Sequence, residues 1–519
     1  MAHSYKPVDR QQQFLLPPDM GEWLSKDHLV WFLLDVVERI DTSELHRSHP
    51  LDGVGRRAYD PDMLLALLFY AYCTGQRSSR RIERLCESDV AYRVITGGNF
   101  PDHTTIARFR KHSDSAMTKL FVEILGLCAV AGIVQVGVVA MDGTKMAAKA
   151  SKKANRTRED LERQVADMMA EAEATDEAED ESFGQGRGDD VPEHLREPAA
   201  RRAWLEEMLR GMKEQEDERQ AAEQDKAAAR AQMEQEAAAA GRHLGGRKPK
   251  GTDLLAQAEA DLAAALTDLA EKQARWREQR DAAKAAGEPP PPRPSRNRPY
   301  QIRLRIKRLQ EQPPPEPEPG QKLRINTTDP DSRLMKSPNG WVQGYNAQAA
   351  VSDSGVVLSA FVTREHNDSG QFEPVVKDLG DNLAAAGVTE PVGTLLADAG
   401  YFSASNLAAA GPDRLISDTK GWKLRREAEK NGYAEGDPPA GSTPIQAMHH
   451  RMRTKEGAEL YKLRQSMIEP AFGDIKENSG FRRFMRRGTD ACNAEWKLIC
   501  AAKNLRRLFR EPEAMPEPA

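Results

Sequence analysis

The sequence has few aromatic residues and no paired cysteines of the kind that bind metals. Phe, Trp and Tyr make up 6% of the 519 residues, whereas Asp, Glu, Lys and Arg make up 30%. This balance predicts that part of the chain forms extended helix rather than compact core. The five cysteines form no CxxC pair and no cluster with histidine. Their spacing argues against a zinc site and is typical of a reducing compartment.

The chain also lacks a long uninterrupted apolar run. Its most apolar stretch, residues 120–141, is broken by Glu123, Gly126, Gly132 and Gln135. This pattern favours a buried helix that leads into a strand over a membrane span. Residues 1–13 lack the apolar core of a signal peptide. We therefore expect a cytoplasmic protein with no membrane partner.

Positive charge is concentrated near the end of the chain. The formal net charge of −5 averages unlike regions, because residues 451–510 hold 15 Lys and Arg against 7 Asp and Glu. A local excess of this size indicates an anionic partner.

Residues 1–130 read as a helical N-terminal domain. Asp60 and Pro61 are typical of a helix start, and Gly75 of a helix end. The next helix carries arginines on adjacent turns, among them Arg80 and Arg81. An arginine-rich face suits a DNA-binding domain, although a surface helix of an ordinary helical domain fits equally well.

Residues 152–325 have the composition of an insertion built from helices. The segment is rich in Ala, Glu, Gln, Lys and Arg, and apolar residues recur at helical spacing along 254–269. Proline-rich runs occur at 288–299 and 311–320. We predict a long antiparallel helical hairpin or coiled coil, with flexible linkers around 175–192 and 286–320.

The remaining residues, 131–151 and 326–488, alternate between strand and helix patterns, followed by a C-terminal helix and tail at 489–519. One apolar strand ends at Asp142, a hairpin turns at 353–355, a buried strand ends at Asp398, and a late helix carries Glu469. This is the element order of an RNase H-like α/β fold, in which the first and fourth strands lie side by side. The three carboxylates would then meet at one edge of the sheet.

Three such carboxylates have a definite chemistry. Mg²⁺ and Mn²⁺ prefer oxygen ligands, and two ions about 4 Å apart can hold an in-line phosphoryl transfer. An aspartate after a strand can also simply cap a turn, so the spacing alone does not decide. Cations that follow Glu469 would contact DNA phosphates, with a solvated basic face as the alternative; they are Lys476, Arg482, Arg483, Arg486 and Arg487.

The segments "VVAMDGTKMAAKAS", "GYNAQAAV", "LLADAGYFS" and "YKLRQSMIEPAFGDIKENSGFRRFMRRG" resemble a DDE-class transposase of a bacterial insertion sequence. The subgroup has an InsH-like N-terminal helical domain and a long insert between the first two carboxylates. The last segment is the most specific, because such transposases carry a Tyr–Arg–Glu–Lys signature on the helix of the third carboxylate.

The resemblance assigns roles by position. Asp142, Asp398 and Glu469 match the catalytic, metal-binding carboxylates, and the other signature residues, which contact DNA near the cleaved end, are Tyr461, Arg464 and Lys476. Four residues separate Arg464 from Glu469, whereas the commonest signature has three. Arg464 is therefore rotated by about 100° from its usual place relative to Glu469.

The resemblance implies an enzyme that cuts the terminal inverted repeats of an element and joins them to double-stranded target DNA. Mg²⁺ or Mn²⁺, with two ions per site, would be the cofactor, and the bacterial nucleoid would be the location. We expect the insertion to help assemble a homodimer on paired ends. Two alternatives remain: an RNase H-like nuclease without strand transfer, and a non-catalytic DNA-binding or interaction protein.

Overall fold

The computed structural model describes residues 19–47, 58–163, 203, 206–213, 216–217, 254–286, 289–311, 324–337, 340–419 and 421–511. The chain divides into two compact units. Unit 1 comprises Met1–Asn155 and Asn326–Ala519, and unit 2 comprises Arg156–Ile325. The expected N-terminal domain and catalytic core thus belong to the same unit. None of the described helices is long and apolar enough to cross a membrane.

Unit 1 begins with seven described α-helices: α1 Leu29–Arg39, α2 Ser43–His46, α3 Pro61–Cys73, α4 Ser79–Ser88, α5 Val90–Ile95, α6 His103–His112 and α7 Asp114–Val130. The predicted ends of α3 are confirmed. The Asp60 side chain accepts a hydrogen bond from the Asp62 backbone N–H, and Pro61 is the first helical residue. Gly75 follows with a φ of 76°, a conformation that favours glycine.

The strands are β1 Val138–Ala147, β2 Asn155–Arg156, β3 Ile325–Asn326, β4 Arg333–Ser337, β5 Gly340–Ser352, β6 Val357–Thr363, β7 Thr394–Ala397 and β8 Asp413–Ile416. In unit 1, β5 runs antiparallel to β1, β4 and β6, whereas β7 runs parallel to its two neighbours, β1 and β8. The sheet is therefore mixed, with the order β4-β5-β1-β7-β8 and β6 on β5. The predicted adjacency of β1 and β7 is confirmed, as is the hairpin turn before β6.

Unit 2 contains α8 Leu254–Ala286 and α9 Asn297–Glu311. The Trp276 indole donates to the Pro291 carbonyl, and Arg305 lies 3.9 Å from Asp261. Because later residues of one helix meet earlier residues of the other, α8 and α9 form an antiparallel hairpin. The prediction of a flexible linker was wrong for residues 297–311, where isoleucines and leucines at helical spacing outweigh one proline in the first turn. The linker predicted at 175–192 lies outside the described residues.

The remaining helices of unit 1 are α10 Phe372–Ala385, α11 Ala404–Ala408, α12 Gly421–Asn431, α13 Pro444–Arg453, α14 Lys455–Gly473 and α15 Thr489–Leu508, with a π-helical turn at Asp474–Asn478. Helix α15 is buried against the sheet rather than appended to it. The Trp496 indole donates to the Gln348 carbonyl, and the Asn504 side chain bonds both backbone groups of Val357. This packing orders the C-terminal helix as part of the core.

Candidate active site

Two aspartates stand beside each other on neighbouring parallel strands. The predicted strand end at Asp142 was wrong, because pairing with β5 continues β1 to Ala147. Asp142 lies in β1 and Asp398 directly follows β7. Ala140 pairs with Leu396, so the register, continued by two residues, places Asp142 opposite Asp398. Neighbouring strands are about 4.8 Å apart. The sheet therefore brings the two carboxylates together, as the sequence predicted.

The Arg464 guanidinium from α14 reaches both aspartates. Its Nη2 lies 2.6 Å from Asp142 Oδ2 and 4.0 Å from Asp398 Oδ2. The other oxygen of each carboxylate accepts a backbone hydrogen bond of 2.8 Å, from Gly143 N–H and Gly400 N–H respectively. One oxygen of each aspartate is thus fixed locally, and the second faces a shared cation.

The surroundings of Asp142 shift its pKa strongly. Burial raises the pKa of Asp142 to about 7, and the Asp398 and Asp368 carboxylates add to the rise. The Arg464 guanidinium opposes it by favouring the ionised form. A carboxylate held in this way has a strong preference for any additional positive charge.

Glu469 lines the same cleft as Asp398 and Arg464. The cleft has a volume of about 650 Å³, and Tyr461 also lines it. Glu469 is exposed, and its Oε2 accepts a hydrogen bond of 3.2 Å from the Gln465 amide. The predicted helical spacing thus brings Tyr461, Arg464 and Glu469 to one surface of α14.

Lys476 lies in the π-helical turn that follows α14. Its Nζ donates to Thr144 Oγ1 and to the Lys145 carbonyl, which belong to the strand of Asp142. Helical turns of this kind are often found at functional sites. The turn therefore attaches the end of the α14 segment to β1 beside the carboxylates.

The four arginines after this turn differ in their surroundings. Arg482, Arg483 and Arg487 are exposed, with Arg482 paired to Glu477 and Arg487 Nε donating to the Lys149 carbonyl. Arg486 is only 12% exposed and forms a two-point ion pair with Asp114 of α7. Its guanidinium therefore joins the loop to the N-terminal helices.

Arginines of the α4 region also divide into two groups. Arg80 and Arg81 are exposed. Arg77 points inward, donates to the carbonyls of Gly480 and Arg483, and lies 4.7 Å from the centre of the Phe481 ring. Arg77 thus ties the start of α4 to this loop. We refer to the exposed arginines of the two segments as the basic surface, namely Arg80, Arg81, Arg482, Arg483 and Arg487.

Buried Glu495 fixes the loop from the other side. It is 2% exposed, accepts hydrogen bonds from the backbone N–H groups of Met485 and Arg486, and lies 3.8 Å from Arg77. Burial raises the pKa of Glu495 despite these donors. The loop is thus held between α4 and α15 by a buried charge.

Sequence reasoning missed Asp368 and the polar groups around it. Asp368 Oδ1 accepts hydrogen bonds from Asn346 Nδ2 at 2.7 Å and Gln348 Nε2 at 2.9 Å, and Lys145 Nζ lies 3.6 Å away. A signal was available, since Asn346 and Gln348 alternate in the buried part of β5. Buried polar side chains on one strand face need partners, which long-range contacts supply.

The mixed α/β core carries two adjacent aspartates and the exposed arginines of the basic surface. Such a set of residues suits a polyanionic ligand. Two family models match the chain: Transposase domain (DUF772) over residues 18–112, and Transposase DDE domain over residues 439–509. These matches support an insertion-sequence transposase of the DDE class, a kind of enzyme that binds DNA, cleaves it with a divalent metal and transfers strands. A comparison with curated proteins and one with solved structures found no match.

The raised pKa of Asp142 predicts a pH-dependent stability in metal-free protein. The folded state holds the proton up to about pH 7, whereas the ordinary pKa is 3.8. The stability that this proton contributes is fully present below about pH 4 and is lost as the pH rises to about 7. With a chelator present, the free energy of unfolding of the parent minus that of Asp142→Asn should fall across this range and then level off. Urea denaturation of both chains tests this, and a flat or rising difference contradicts it.

Proposed function

We propose that this chain is a DNA transposase that cleaves element ends and transfers them to target DNA by a two-metal mechanism. The observation that carries the proposal is the convergence of Asp142 and Asp398 on Arg464, in a cleft that Glu469 also lines. The matching family models supply the DNA substrate class.

The catalytic core is proposed to be RNase H-like. The strand order β6-β5-β1-β7-β8, with β1 antiparallel to β5 and parallel to β7, supports this assignment. The positions of the three carboxylates support it as well. Asp142 lies in β1, Asp398 directly follows β7, and Glu469 lies on the late helix α14. The seven N-terminal helices are proposed to carry DNA-binding residues, because Arg80 and Arg81 are exposed there.

The donor atoms at the cleft are of the type that a hard divalent cation prefers. The three carboxylates would have to approach one another to hold one ion, because the group of three ligands within 4.8 Å that the described residues contain is His46, Asp60 and Asp62. Asp142, Asp398 and Glu469 offer oxygen donors alone, and two of them already share a positive group. Mg²⁺ or Mn²⁺ bound there, as two ions, would supply an activated water or 3′-hydroxyl and neutralise the leaving oxygen. Arg464 would then leave its two carboxylates for a phosphate of the DNA end, near Tyr461 and Lys476.

Alanine at any one of Asp142, Asp398 or Glu469 should abolish cleavage and strand transfer, with a loss of at least about a thousandfold. DNA binding should stay largely intact, because the basic surface is unchanged. Gel assays with labelled element ends and a target plasmid measure both steps. Asp381→Ala is the matched control, because Asp381 is an exposed carboxylate on α10 that pairs with Lys377.

The same assays separate the proposal from its rivals. A parent chain that cuts ends without joining them to target is a nuclease, and an alanine variant that cuts at the parent rate removes that carboxylate from the mechanism.

The basic surface should bind DNA mainly through phosphates. Affinity should then fall steeply with salt, with a log–log slope of about −0.9 per phosphate contacted. Changing Arg80 and Arg81, or Arg482 and Arg483, to alanine should make the slope shallower by about one per lost contact. Fluorescence anisotropy from low to high salt measures the slope, and Lys377→Ala is an exposed control. Slopes equal to the parent value would exclude these side chains from the interface.

Unit 2 is proposed to act as a helical arm that pairs two transposases on two DNA ends. The residues of unit 1 that flank unit 2 in the sequence lie next to each other. The Thr327 N–H donates to the Ala154 carbonyl, and the Asn326 side chain donates to the Ser151 carbonyl. A short linker can therefore replace the arm at little entropic cost.

We expect a chain with residues 157–324 replaced by a short Gly/Ser linker to fold and to cleave single ends. It should fail to form the paired-end complex, measured by native gel and by light scattering as a loss of the homodimer. Pairing and transposition at the parent rate would show that the arm has no role in assembly.

A further inference from the structure

The β4–β5 hairpin extends beyond the neighbouring strand β1. The pairing of β1 with β5 ends at Ala147 opposite Gly344, and the Ala148 N–H donates to the Gln343 carbonyl one residue further on. Residues 340–342 of β5 pair with β4 alone among the described strands. The end of the hairpin is therefore a two-stranded ribbon that leaves the sheet.

Trp341 stands exposed on this ribbon. It is 50% exposed, and its direct partner on β4 is Lys336, which is exposed as well. Directly opposite residues of an antiparallel pair lie on the same face of the sheet. Tryptophan is enriched in surfaces that bind partners, because its ring is apolar and its N–H can still form a hydrogen bond. The ribbon therefore presents an indole and an ammonium group side by side.

The strand register shows which face of the sheet Trp341 occupies. Asp142 pairs with Ala349, and Trp341 lies eight residues before Ala349 on β5. Side chains alternate along a strand, so residues an even number apart share a face. Trp341 is therefore on the face of the sheet that carries the Asp142 side chain. At about 3.3 Å per residue, the two positions are roughly 26 Å apart along the strand.

Exposed lysines follow β1 beside the base of the ribbon, at Lys149, Lys152 and Lys153. The Asn155 amide connects this segment to the hairpin, since its Nδ2 donates to the Lys152 carbonyl and to Gln343 Oε1. Arg487 of the basic surface donates its Nε hydrogen to the Lys149 carbonyl. Positive charge therefore continues from the loop of Arg487 along residues 149–153 to the base of the ribbon.

This positive charge is not cancelled by acidic neighbours. Residues 149–153 and 333–342 contain five lysines and arginines and no acidic residue. Asp331, two residues before β4, accepts hydrogen bonds from the Thr489 N–H and hydroxyl and lies 3.5 Å from Arg364. Asp329 is buried and accepts the Tyr345 hydroxyl at 2.7 Å. The surface around the ribbon is thus complementary in charge to a polyanion.

We propose that the end of the β4–β5 hairpin, with residues 149–153 beside it, is a second contact surface for double-stranded DNA that leads away from the active-site cleft. The lysines bind phosphates, and Trp341 lies in the major groove, which admits a two-stranded ribbon. At about 3.4 Å per base pair, the Trp341 contact falls about eight base pairs from the bond cleaved beside Asp142. This inference rests on the proposed function, because that function supplies the DNA.

Binding to duplexes of increasing length tests this proposal. Two series of duplexes, copied from the DNA that flanks the gene, extend by about 4 to 20 base pairs on one side or the other of the cleaved bond. In one series, Trp341→Ala should lower the affinity at least about fivefold for duplexes that reach past about eight base pairs, and Trp341→Phe should restore part of the loss. The affinity for shorter duplexes should stay at the parent value, because they do not reach the ribbon. Fluorescence anisotropy of the full-length chain measures the affinities, and Tyr433→Ala is the control, an exposed aromatic residue elsewhere in unit 1.

Photochemical crosslinking gives a second, independent readout. 5-Iodouracil carries its iodine where thymine carries the methyl group, in the major groove. Placed at successive positions of the longest duplex, it should crosslink to Trp341 most strongly about eight base pairs from the cleaved bond. Peptide mass spectrometry identifies the crosslinked residue, and this crosslink should be lost in Trp341→Ala and kept in Tyr433→Ala.

The outcomes separate this inference from the proposed function. Parent-like binding of Trp341→Ala to every duplex overturns the role of the ribbon alone, and so does a loss that is equal at all lengths, which would report a disturbed fold. A homodimer that Trp341→Ala weakens in light scattering without DNA, with no dependence on duplex length, would assign the ribbon to a protein contact and also overturns it. A parent chain that binds neither series overturns the proposed function itself.

Discussion

The burial of the Asp142 carboxylate beside Asp398 is the constraint on which the site depends. Parallel pairing of β1 with β7 places Asp142, inside β1, beside Asp398, which directly follows β7. Burial disfavours the ionised form of Asp142, and the neighbouring Asp398 carboxylate adds to that cost. Arg464 and the backbone N–H groups of Gly143 and Gly400 offset it. A site arranged in this way favours positive charge before any substrate arrives.

Helix α14 supplies both signs of charge to the cleft, Arg464 as the cation and Glu469 as the exposed anion. The π-helical turn after it attaches Lys476 to the strand of Asp142, so the helix is held at both the cleft and the sheet. The basic loop beyond is joined to the N-terminal helices through Arg77 and through the Arg486–Asp114 pair. In unit 1, the proposed DNA-binding surface is therefore part of the same compact body as the carboxylates.

Much of the local structure could be predicted because its causes are local. The start of α3 at Asp60–Pro61, the hairpin at 353–355 and the helix of Glu469 each depend on residues within a few positions. The strand at Arg333–Ser337 was missed because its charged residues hide the period of two. The helix at 297–311 was assigned to a linker because prolines on either side dominated the composition. In both cases the partner element, β5 or α8, stabilises a segment whose own pattern is weak.

The sequence by itself determined which residues could carry the chemistry, since carboxylate, guanidinium and ammonium groups are read directly from the residue types. It also determined the order of elements that brings Asp142 beside Asp398. Only the tertiary structure decided which charges are exposed. Arg482 and Arg486 are four residues apart, yet Arg486 pairs across the fold with Asp114, whereas Arg482 stays exposed and pairs with nearby Glu477. Asp368 accepts hydrogen bonds from Asn346 and Gln348, which lie about twenty residues earlier in the chain. Such pairings join residues distant in the chain, and local periodicity contains no information about them.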